Sequence, residues 1–233
     1  MSNRVAVVTG SSSGIGRAIA ERLIADGWRV HGLDIAPPTL DSTAFTAHAV
    51  DLGEGPAVDS IAAHLLASGT PDALVHAAGV MRVAPLGDLG TVDGERMWRL
   101  HVEAAARLAN GLLPAMRAAG RGRVVLIGSR AAQGLPGRSQ YAGTKAALAA
   151  LAKSWAAEVV AAGVTVNVVS PAATRTGMLA DPARAGSQVR LPPIGRLIEP
   201  GEVAALVAFL LSADAAAITG QDIAICGGAT LFY

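Results

Sequence analysis

Short apolar runs alternate along the chain with longer stretches that are rich in alanine and leucine. The short runs predict β-strands at 4–9, 29–34, 44–51, 73–77, 123–129, 164–170 and 221–226. Several of them are continuously apolar rather than alternating, which is typical of strands covered on both faces of a sheet. The longer stretches predict helices at 14–26, 56–68, 97–119, 140–162 and 201–212.

The order of these elements predicts the fold class. A strand, a helix and another strand in repetition give a parallel sheet with crossover helices. We therefore predict a three-layer α/β fold, with a doubly wound, seven-stranded parallel sheet and helices on both faces. No shift in composition and no linker divides the chain, so residues 1–233 are expected to form a single domain.

Two connections depart from the regular pattern. Residues 35–43 contain Pro37 and Pro38 and are too few for a full crossover helix, so they predict a loop or one helical turn. The longest irregular stretch, 171–200, contains five prolines. A loop of that length in a compact domain is usually functional, which predicts a substrate loop or a lid at about 171–200.

Composition and charge narrow the possible partners. The 233 residues are 52% hydrophobic, which excludes overall disorder, and the net charge of +1 favours neither nucleic acid nor an anionic membrane. The apolar runs are too short for a spanning helix or a signal peptide. The single cysteine, Cys226, excludes an intrachain disulfide and a multi-cysteine metal site. We therefore expect a cytoplasmic protein with no bound metal.

A glycine-rich turn follows the first predicted strand and opens into the first predicted helix. It reads Thr9-Gly10-Ser11-Ser12-Ser13-Gly14-Ile15-Gly16. Glycines let the backbone approach a pyrophosphate, whose charge faces the N-terminus of the helix. A glycine-rich stretch alone is also compatible with a plain turn, but its setting between strand and helix indicates a dinucleotide site.

Asp34, at the end of the second predicted strand, completes this pattern. A carboxylate there accepts hydrogen bonds from the ribose hydroxyls of NAD and repels the 2′-phosphate of NADP. Ser13 and Ile35 stand where an NADP-binding protein needs a basic side chain, so we predict NAD rather than NADP. The alternative is that Asp34 caps a loop. Asp51, after the third strand, either contacts the adenine or caps the following turn.

Candidate catalytic groups lie in the second half of the chain. Tyr141 and Lys145 are four residues apart at the start of a predicted helix, so they share one face. A nearby ammonium and an oxidised nicotinamide favour the phenolate of a tyrosine. Ser129 ends the fifth predicted strand, at the carboxyl edge where ligands gather. Taken singly, Tyr141 and Lys145 are also explained as a surface pair, and Ser129 as a cap. Only their combination with the nucleotide site is specific for catalysis.

These motifs resemble the classical short-chain dehydrogenase/reductase family over essentially the whole chain. Further matching marks are His76-Ala77-Ala78-Gly79, where the family has Asn-Asn-Ala-Gly, then Asn167 before 168–171, and Thr176. The resemblance implies a Rossmann fold with Tyr141 as general acid/base and Ser129 orienting the substrate oxygen. It implies that Lys145 binds the nicotinamide ribose and lowers the pKa of Tyr141, and that Thr176 contacts the carboxamide region.

The resemblance also implies a coenzyme site and an assembly. The expected coenzyme-binding residues are Gly10, Ser12, Ser13, Gly14, Ile15, Gly16, Asp34, Asp51, Leu52, Ala77, Ala78, Gly79, Tyr141, Lys145, Ala172, Thr174 and Thr176. A homo-oligomer, a dimer or a tetramer, is expected to pack through the helices at 97–119 and 140–162.

Three positions depart from the family pattern. His101 stands where the family has a catalytic Asn that holds a relay water. It either replaces that Asn in the proton relay, or marks weakened catalysis, or is a helix histidine bonded to a backbone carbonyl. Ala172 replaces the usual Gly after Pro171, which narrows the space beside the nicotinamide. Ala77 replaces the second Asn of its motif, which removes a side-chain brace.

The substrate side carries weaker signals. The Pro37-Pro38 connection and the end of the chain, 218–231, are similar to 2,3-dihydro-2,3-dihydroxybenzoate dehydrogenases, which oxidise a ring hydroxyl with NAD. Arg130 and Arg138 flank the catalytic segment and either bind a substrate carboxylate or are solvated. Met178 lies in the expected substrate loop with Leu179 and Leu191, which predicts an apolar pocket.

These observations favour an NAD-dependent oxidoreductase acting on a secondary alcohol or ketone of a small, cyclic substrate. The alternative is an NAD-binding protein of the same fold with little turnover, acting as a sensor or structural partner, to which only His101 lends weight. A nucleotide-sugar epimerase of a related extended family needs a larger C-terminal substrate region. The residues after Asn167 leave little room for one.

Overall fold

A computed structural model describes residues 4–184 and 190–231 of the chain. Its sheet is wholly parallel, with the strands in the order β3-β2-β1-β4-β5-β6-β7. The strands are β1 (Val5–Thr9), β2 (Arg29–Asp34), β3 (Phe45–Ala49), β4 (Ala73–His76), β5 (Gly122–Ile127), β6 (Val164–Pro171) and β7 (Asp222–Ile225). The predicted fold class is confirmed: this is a doubly wound, seven-stranded Rossmann sheet.

Helices cover both faces of this sheet. They are α1 (Gly14–Ala25), α2 (Gly55–Ala67), α3 (Thr91–Trp98), α4 (Ala104–Ala118), α5 (Ser139–Val159) and α6 (Pro200–Leu210). Leu74 packs in the core with α2, α4 and α5, whereas the next residue, Val75, packs in the core with α1 and α6. Successive residues of a strand therefore face two different apolar cores, which explains why the strands are continuously apolar.

The connection from β2 to β3 is an irregular loop, as one of the two alternatives predicted. The third strand is shorter than expected, since β3 ends at Ala49 and Asp51 lies beyond it. Both β2 and β3 end at the edge where the other parallel strands end, so the loops that follow them reach the same side of the molecule.

The helix predicted at 97–119 is wrong in its start and in its regularity. Helix α3 begins at Thr91, and a π-helical turn, Arg99–Glu103, separates it from α4. The start was missed because Met97 is the one buried residue of α3 and Gly94 interrupts its sequence, so no apolar period marks it. The π turn buries His101 and Val102.

The segment 171–200, expected as a substrate loop, begins at the end of β6 with two short 3₁₀ turns, Gly177–Ala180 and Pro182–Arg184. Residues 185–189 lie outside the described part of the chain. The rest is tied to the body by a bridge between Thr174 and Ile198 and by a hydrogen bond from the Ile194 amide to the Gly227 carbonyl, 3.1 Å. Among the described helices, none combines the length and apolar character needed to cross a membrane.

Candidate active site

A cavity of about 1280 Å³ opens at the carboxyl ends of the strands. Its walls come from the loops after β1, β2, β3, β4, β5 and β6. Strand order reverses between β1 and β4, where chains leaving the sheet turn to opposite faces and leave a crevice. The volume exceeds the roughly 300–1,000 Å³ of ordinary small-molecule pockets, which leaves space for a dinucleotide and a second molecule.

The glycine loop needs its glycines because its backbone lies very close to neighbouring backbone atoms. Gly10 has a φ of +67°, and a Cβ on it would come within 2.9 Å of the Ala78 Cα atom on the loop after β4. A Cβ on Gly16 would overlap the carbonyl oxygen of Gly10. The loop therefore folds back against both β4 and the first turn of α1, which brings its backbone to the cavity.

The N-terminus of α1 fits an anionic group. Its N-cap, Ser13, makes no side-chain capping bond, and its first turn carries no acidic residue. Gly14, Ile15 and Gly16 line the cavity, so the amides of this turn are available to the pyrophosphate of a dinucleotide. The residues present therefore fit the coenzyme that the glycine motif predicts.

Asp34 is fixed at the cavity by backbone amides. Its Oδ2 atom accepts from the Ser12 amide and its Oδ1 atom from the Ala36 amide, both at 2.9 Å. Ser12 also donates its hydroxyl proton to the Ala36 carbonyl, 3.1 Å, and is itself buried behind the loop. A carboxylate oxygen that accepts one amide keeps a lone pair, so Asp34 can still accept a hydroxyl.

Thr9 joins the ends of β1 and β4. Its Oγ1 atom accepts from the amides of Ala77 and Ala78, each at 2.9 Å, which uses both lone pairs. The Thr9 hydroxyl therefore donates to Nδ1 of His76, 3.1 Å away, and the His76 proton sits on Nε2. Burial, followed by the charge of Lys145, lowers the pKa of His76 to about 3, and backbone hydrogen bonds at Leu100 and His101 oppose this shift.

Ser129 and Tyr141 meet at the cavity wall beside β5. Ser129 follows β5 as the N-cap of a 3₁₀ turn, and its Oγ atom accepts from the Ala131 amide at 3.1 Å. Burial raises the pKa of the Tyr141 phenol, whereas a hydrogen bond from the Ser129 hydroxyl and the charges of Arg184 and Arg138 oppose that rise. The phenol is thus neutral in the free protein and surrounded by groups that favour its anion.

Lys145 lies one helical turn beyond Tyr141 on α5 and is buried. Its Nζ atom donates to the Ile127 carbonyl at 2.8 Å and lies 5.8 Å from the centroid of the Tyr141 ring. Burial lowers the pKa of Lys145 to about 8. An ammonium has three donors, so two remain for a ligand in the cavity that Lys145 lines.

Comparison with known proteins matches this geometry to a family. Residues 10–230 match the family model described as Enoyl-(Acyl carrier protein) reductase. The chain is 37% identical over 238 residues to the 3-oxoacyl-[acyl-carrier-protein] reductase FabG of Escherichia coli (strain K12), covering 97% of this chain and 96% of that protein. The chain is a classical short-chain dehydrogenase/reductase. The resemblance seen in the sequence is confirmed, and the protein is an oxidoreductase of this family.

Other relatives of this short-chain dehydrogenase/reductase agree with the assignment. The chain is 35% identical over 239 residues to the 2,3-dihydro-2,3-dihydroxybenzoate dehydrogenase of Escherichia coli (strain K12), with 96% of each chain covered. Among solved structures, the ligand-free aldohexose dehydrogenase of Thermoplasma acidophilum superimposes with a TM-score of 0.90 at 27% identity. That match covers 99% of this chain and 95% of the other.

His101 is engaged through both nitrogens in this short-chain dehydrogenase/reductase. Its Nε2 atom accepts from the Val80 amide at 3.0 Å, so Nδ1 carries the proton and donates to Thr144 Oγ1 at 2.8 Å. The Thr144 hydroxyl in turn donates to the carbonyl of Tyr141, also 2.8 Å. Burial holds the pKa of His101 well below its usual value. A proton relay through this imidazole would have to break one of these bonds.

Nearly all the residues predicted for the site share the cavity. Apart from Ser12 and His101, every predicted catalytic, coenzyme and substrate residue lines it. Asp51 caps the following turn, since it accepts from the Gly53 amide at 2.8 Å. It also lines the cavity, and its contact with the adenine stays a prediction. Ser12 and His101 lie behind the wall and hold residues that form it.

The sequence analysis missed part of the substrate wall. Arg184 lines the cavity beside the predicted Arg130, Arg138 and Met178. It was missed because it lies in an irregular segment, where neither periodicity nor a motif indicates which side chains turn inward. An ion pair between Arg82 and Asp181, 3.1 Å, closes part of the same wall and carried no sequence signal.

Proposed function

We propose that this oxidoreductase transfers a hydride between NAD(H) and a secondary alcohol or ketone of a small, cyclic substrate. The observation that carries the proposal is the meeting of Ser129, Tyr141 and Lys145 in the one cavity that the glycine loop and Asp34 also line. Proton and hydride transfer need an acid/base and a coenzyme at the same substrate atom, and this arrangement supplies places for both.

The nicotinamide supplies or accepts the hydride when it is bound. Ser129 would orient the substrate oxygen beside Tyr141, because both side chains line the cavity and the Ser129 hydroxyl favours the phenolate. In reduction, Tyr141 donates its proton to the developing alkoxide, and in oxidation it accepts the proton of the alcohol. Lys145, whose Nζ atom lies 5.8 Å from the centroid of the Tyr141 ring, would favour the phenolate and would hold the nicotinamide ribose through its remaining donors. Thr176, which also lines the cavity, would hold the carboxamide region.

The preference for NAD rests on the wall at Asp34. The carboxylate is held by two amides and has a free lone pair on each oxygen. Neither Ser13 nor Ile35, which also line this part of the cavity, supplies a positive charge for a 2′-phosphate. A phosphate placed beside Asp34 would be repelled, whereas a ribose hydroxyl would donate to it.

The substrate proposal draws on the relatives. The dehydrogenase of 2,3-dihydro-2,3-dihydroxybenzoate is named for a small cyclic alcohol, and the chain matches it over 96% of its length. The 3-oxoacyl reductase is named for an open-chain ketone bound to a carrier protein, which makes such thioesters the second candidate substrate. Arg130, Arg138 and Met178 form the wall on this side in either case.

We also propose a homo-oligomer, a dimer or a tetramer. The resemblance places its interfaces on the helices predicted at 97–119 and 140–162, which correspond mainly to α4 and α5. The exposed Trp98 supports this placement, because a large apolar side chain at a surface favours burial against a partner.

The catalytic assignment is tested by Tyr141→Phe and Lys145→Met, with Lys153→Met as the control on the exposed side of the same helix. We expect the first two variants to lower kcat by about 10²–10⁴-fold, since each removes part of the acid/base machinery. NADH absorbance reports turnover of cyclic ketones and 3-oxoacyl thioesters, and NADH fluorescence reports coenzyme binding. Tyr141→Phe should bind NADH within about twofold of the unmodified protein, and Lys153→Met should match it in both assays.

Two results would change the proposal. Undiminished turnover in Tyr141→Phe would remove the phenol from the mechanism. Tight NADH binding by the unmodified protein without turnover of any alcohol or ketone would favour the alternative of a coenzyme-binding protein that acts as a sensor or structural partner.

A further inference from the structure

Arg184 is a buried cation whose donors are not all satisfied. Its side chain lines the cavity, yet the residue is only 7% exposed. The Nη1 atom donates to the Met178 carbonyl at 3.2 Å, whereas the Nε atom is buried with no hydrogen-bond partner among the described residues. A guanidinium buried with an unused donor is costly in the free protein, and an anion against its cavity-facing nitrogen atoms would offset the desolvation of its positive charge.

Arg184 is accompanied by other positive charges. Arg138, the N-cap residue of α5, is half-buried on the same cavity wall. Its pKa is lowered first by burial and then by the positive charges of Arg184 and Arg130. Guanidinium groups from three separate segments therefore repel one another at this end of the cavity, and a bound anion would convert their repulsion into attraction.

These guanidiniums lie close to the chemistry. The charges of Arg184 and Arg138 both act on the Tyr141 phenol, where they oppose the rise in pKa that burial causes. The expected place for the coenzyme pyrophosphate is the N-terminus of α1, which is a separate part of the wall. The positive cluster therefore faces the substrate that reacts at Tyr141.

We infer that the substrate carries a compact oxyanion, a carboxylate or a phosphate, which Arg184 binds together with Arg138 within a few bonds of the reacting carbon. This inference rests on the proposed function, because it places the anion on the molecule that is oxidised or reduced. A guanidinium forms paired hydrogen bonds with either oxyanion, so both belong to the same chemical class here.

Equilibrium binding tests the anion site without turnover. Calorimetric titrations use cyclohexanecarboxylate, cyclohexyl phosphate and cyclohexanecarboxamide as probes. The proteins are the unmodified chain, Arg184→Gln, Arg184→Lys and, as a control, Arg117→Gln at an exposed position outside the cavity. We expect at least one anion to bind about tenfold or more tightly than the amide, because hydrogen bonds to charged groups differ by that amount from neutral ones.

The variants separate a charge effect from a folding defect. Arg184→Gln should weaken binding of the anion by roughly ten- to hundredfold and leave the amide within about twofold. Arg184→Lys should recover part of the loss because it keeps the charge, and Arg117→Gln should behave as the unmodified protein. The anion that binds more tightly identifies the oxyanion. Equal binding of the amide and both anions would overturn the inference, as would an equal effect of Arg184→Gln on all three probes.

Kinetics distinguish this inference from the proposed function. With NADH, 3-oxocyclohexanecarboxylate should be reduced with a kcat/KM at least about tenfold above that of its methyl ester, and Arg184→Gln should remove the difference. Equal use of acid and ester would overturn the inference and keep the oxidoreductase assignment. Anion binding that depends on Arg184, without turnover of any ketone, would support the anion site and contradict the proposed function. A tenfold loss of NADH affinity in Arg184→Gln would assign the guanidinium to the coenzyme and overturn the inference.

Discussion

Asp34 shows how a single carboxylate can be aimed by the backbone. Two amides from different loops, those of Ser12 and Ala36, hold its oxygens at 2.9 Å, and no side chain is needed. Since amides fix both oxygens, the side chain cannot rotate away from an incoming ribose without losing hydrogen bonds. In the proposed preference for NAD, the charge that repels the 2′-phosphate of NADP is therefore held at one fixed place.

Coenzyme selectivity should change with this charge. Asp34→Asn keeps an oxygen acceptor but removes the negative charge, and Asp34→Ala removes both. We expect NADH affinity to fall roughly tenfold or more in Asp34→Ala, while NADPH affinity is unchanged or rises in both variants. Fluorescence titration with both coenzymes measures this, and Asp41→Ala, an exposed position in the same connection, is the control. Tighter binding of NADPH than NADH by the unmodified protein would contradict the assignment.

Residues differ in how far the sequence could place them. Asp34 was predictable because it ends a strand, and all parallel strands of a doubly wound sheet end at one edge. Tyr141 and Lys145 were predictable because helical spacing puts them on one face. The position of Arg184 was not predictable in this way, because its segment has no hydrophobic periodicity. The direction of its side chain depends on tertiary packing. The tautomer of His101 depends on Val80 and Thr144, which no sequence spacing connects to it.

At the scale of elements, the predicted strands were more accurate than the predicted helices. A strand buried on both faces needs a continuous apolar run, and few other elements have one of that length. Helix α3 lacks any apolar period, and the π turn before α4 shifts which residues face inward by adding one residue to a turn. Patterns based on a period of 3.6 residues therefore could not locate either feature.

The contact between α1 and the glycine loop should be sensitive to a single methyl group. In Gly16→Ala the new Cβ would overlap the Gly10 carbonyl oxygen, so the loop or the helix must move. We expect a loss of about 1–3 kcal/mol in the free energy of unfolding and a fall of roughly tenfold in NADH affinity. Chemical denaturation and fluorescence titration measure the two effects.

Gly201→Ala in the first turn of α6 is the matched control. A Cβ there meets nothing within 4 Å, so it should leave NADH binding unchanged and stabilise the protein by about 0.5–1 kcal/mol. If Gly16→Ala bound NADH as well as the Gly201→Ala control does, the close packing of the loop would not be required for the coenzyme.

For the molecule as a whole, the alternation of strands and helices was enough to predict the layered sheet and its position between two apolar cores. It could not predict the polar contacts inside those layers. His76 and His101 are both fully buried, in places where sequence comparison alone indicated only a departure from asparagine. Neutral imidazoles buried in this way connect stability to pH, because the folded protein cannot take up the protons that the unfolded chain binds.

We therefore expect acid to destabilise this protein through its buried histidines. The pKa of His76 is lowered to about 3 in the folded state, whereas an unfolded histidine has a pKa of about 6.5. Its stabilising contribution is complete above about pH 7.5, falls as the pH drops through 6.5 and is lost by about pH 3. Between pH 7.5 and pH 5 the loss is about 2 kcal/mol for this imidazole.

Urea unfolding at the two pH values checks this expectation. His76→Asn should lose about 2 kcal/mol less than the unmodified protein over that interval, because asparagine does not titrate. The control is Ser60→Asn, at an exposed position on α2, which should lose as much as the unmodified protein. An identical loss in His76→Asn and in the control would mean that His76 is already protonated in the fold or becomes exposed before unfolding.

The Thr9 hydroxyl has a consequence for redesign of the enzyme. Because it joins β1 to the loop after β4, the coenzyme half of the crevice is a rigid frame. The segment after β6, which supplies Met178 and Arg184 to the cavity wall, takes no part in these hydrogen bonds. New substrate ranges can accordingly be sought by grafting that segment from other members of the family, with the frame left as it is.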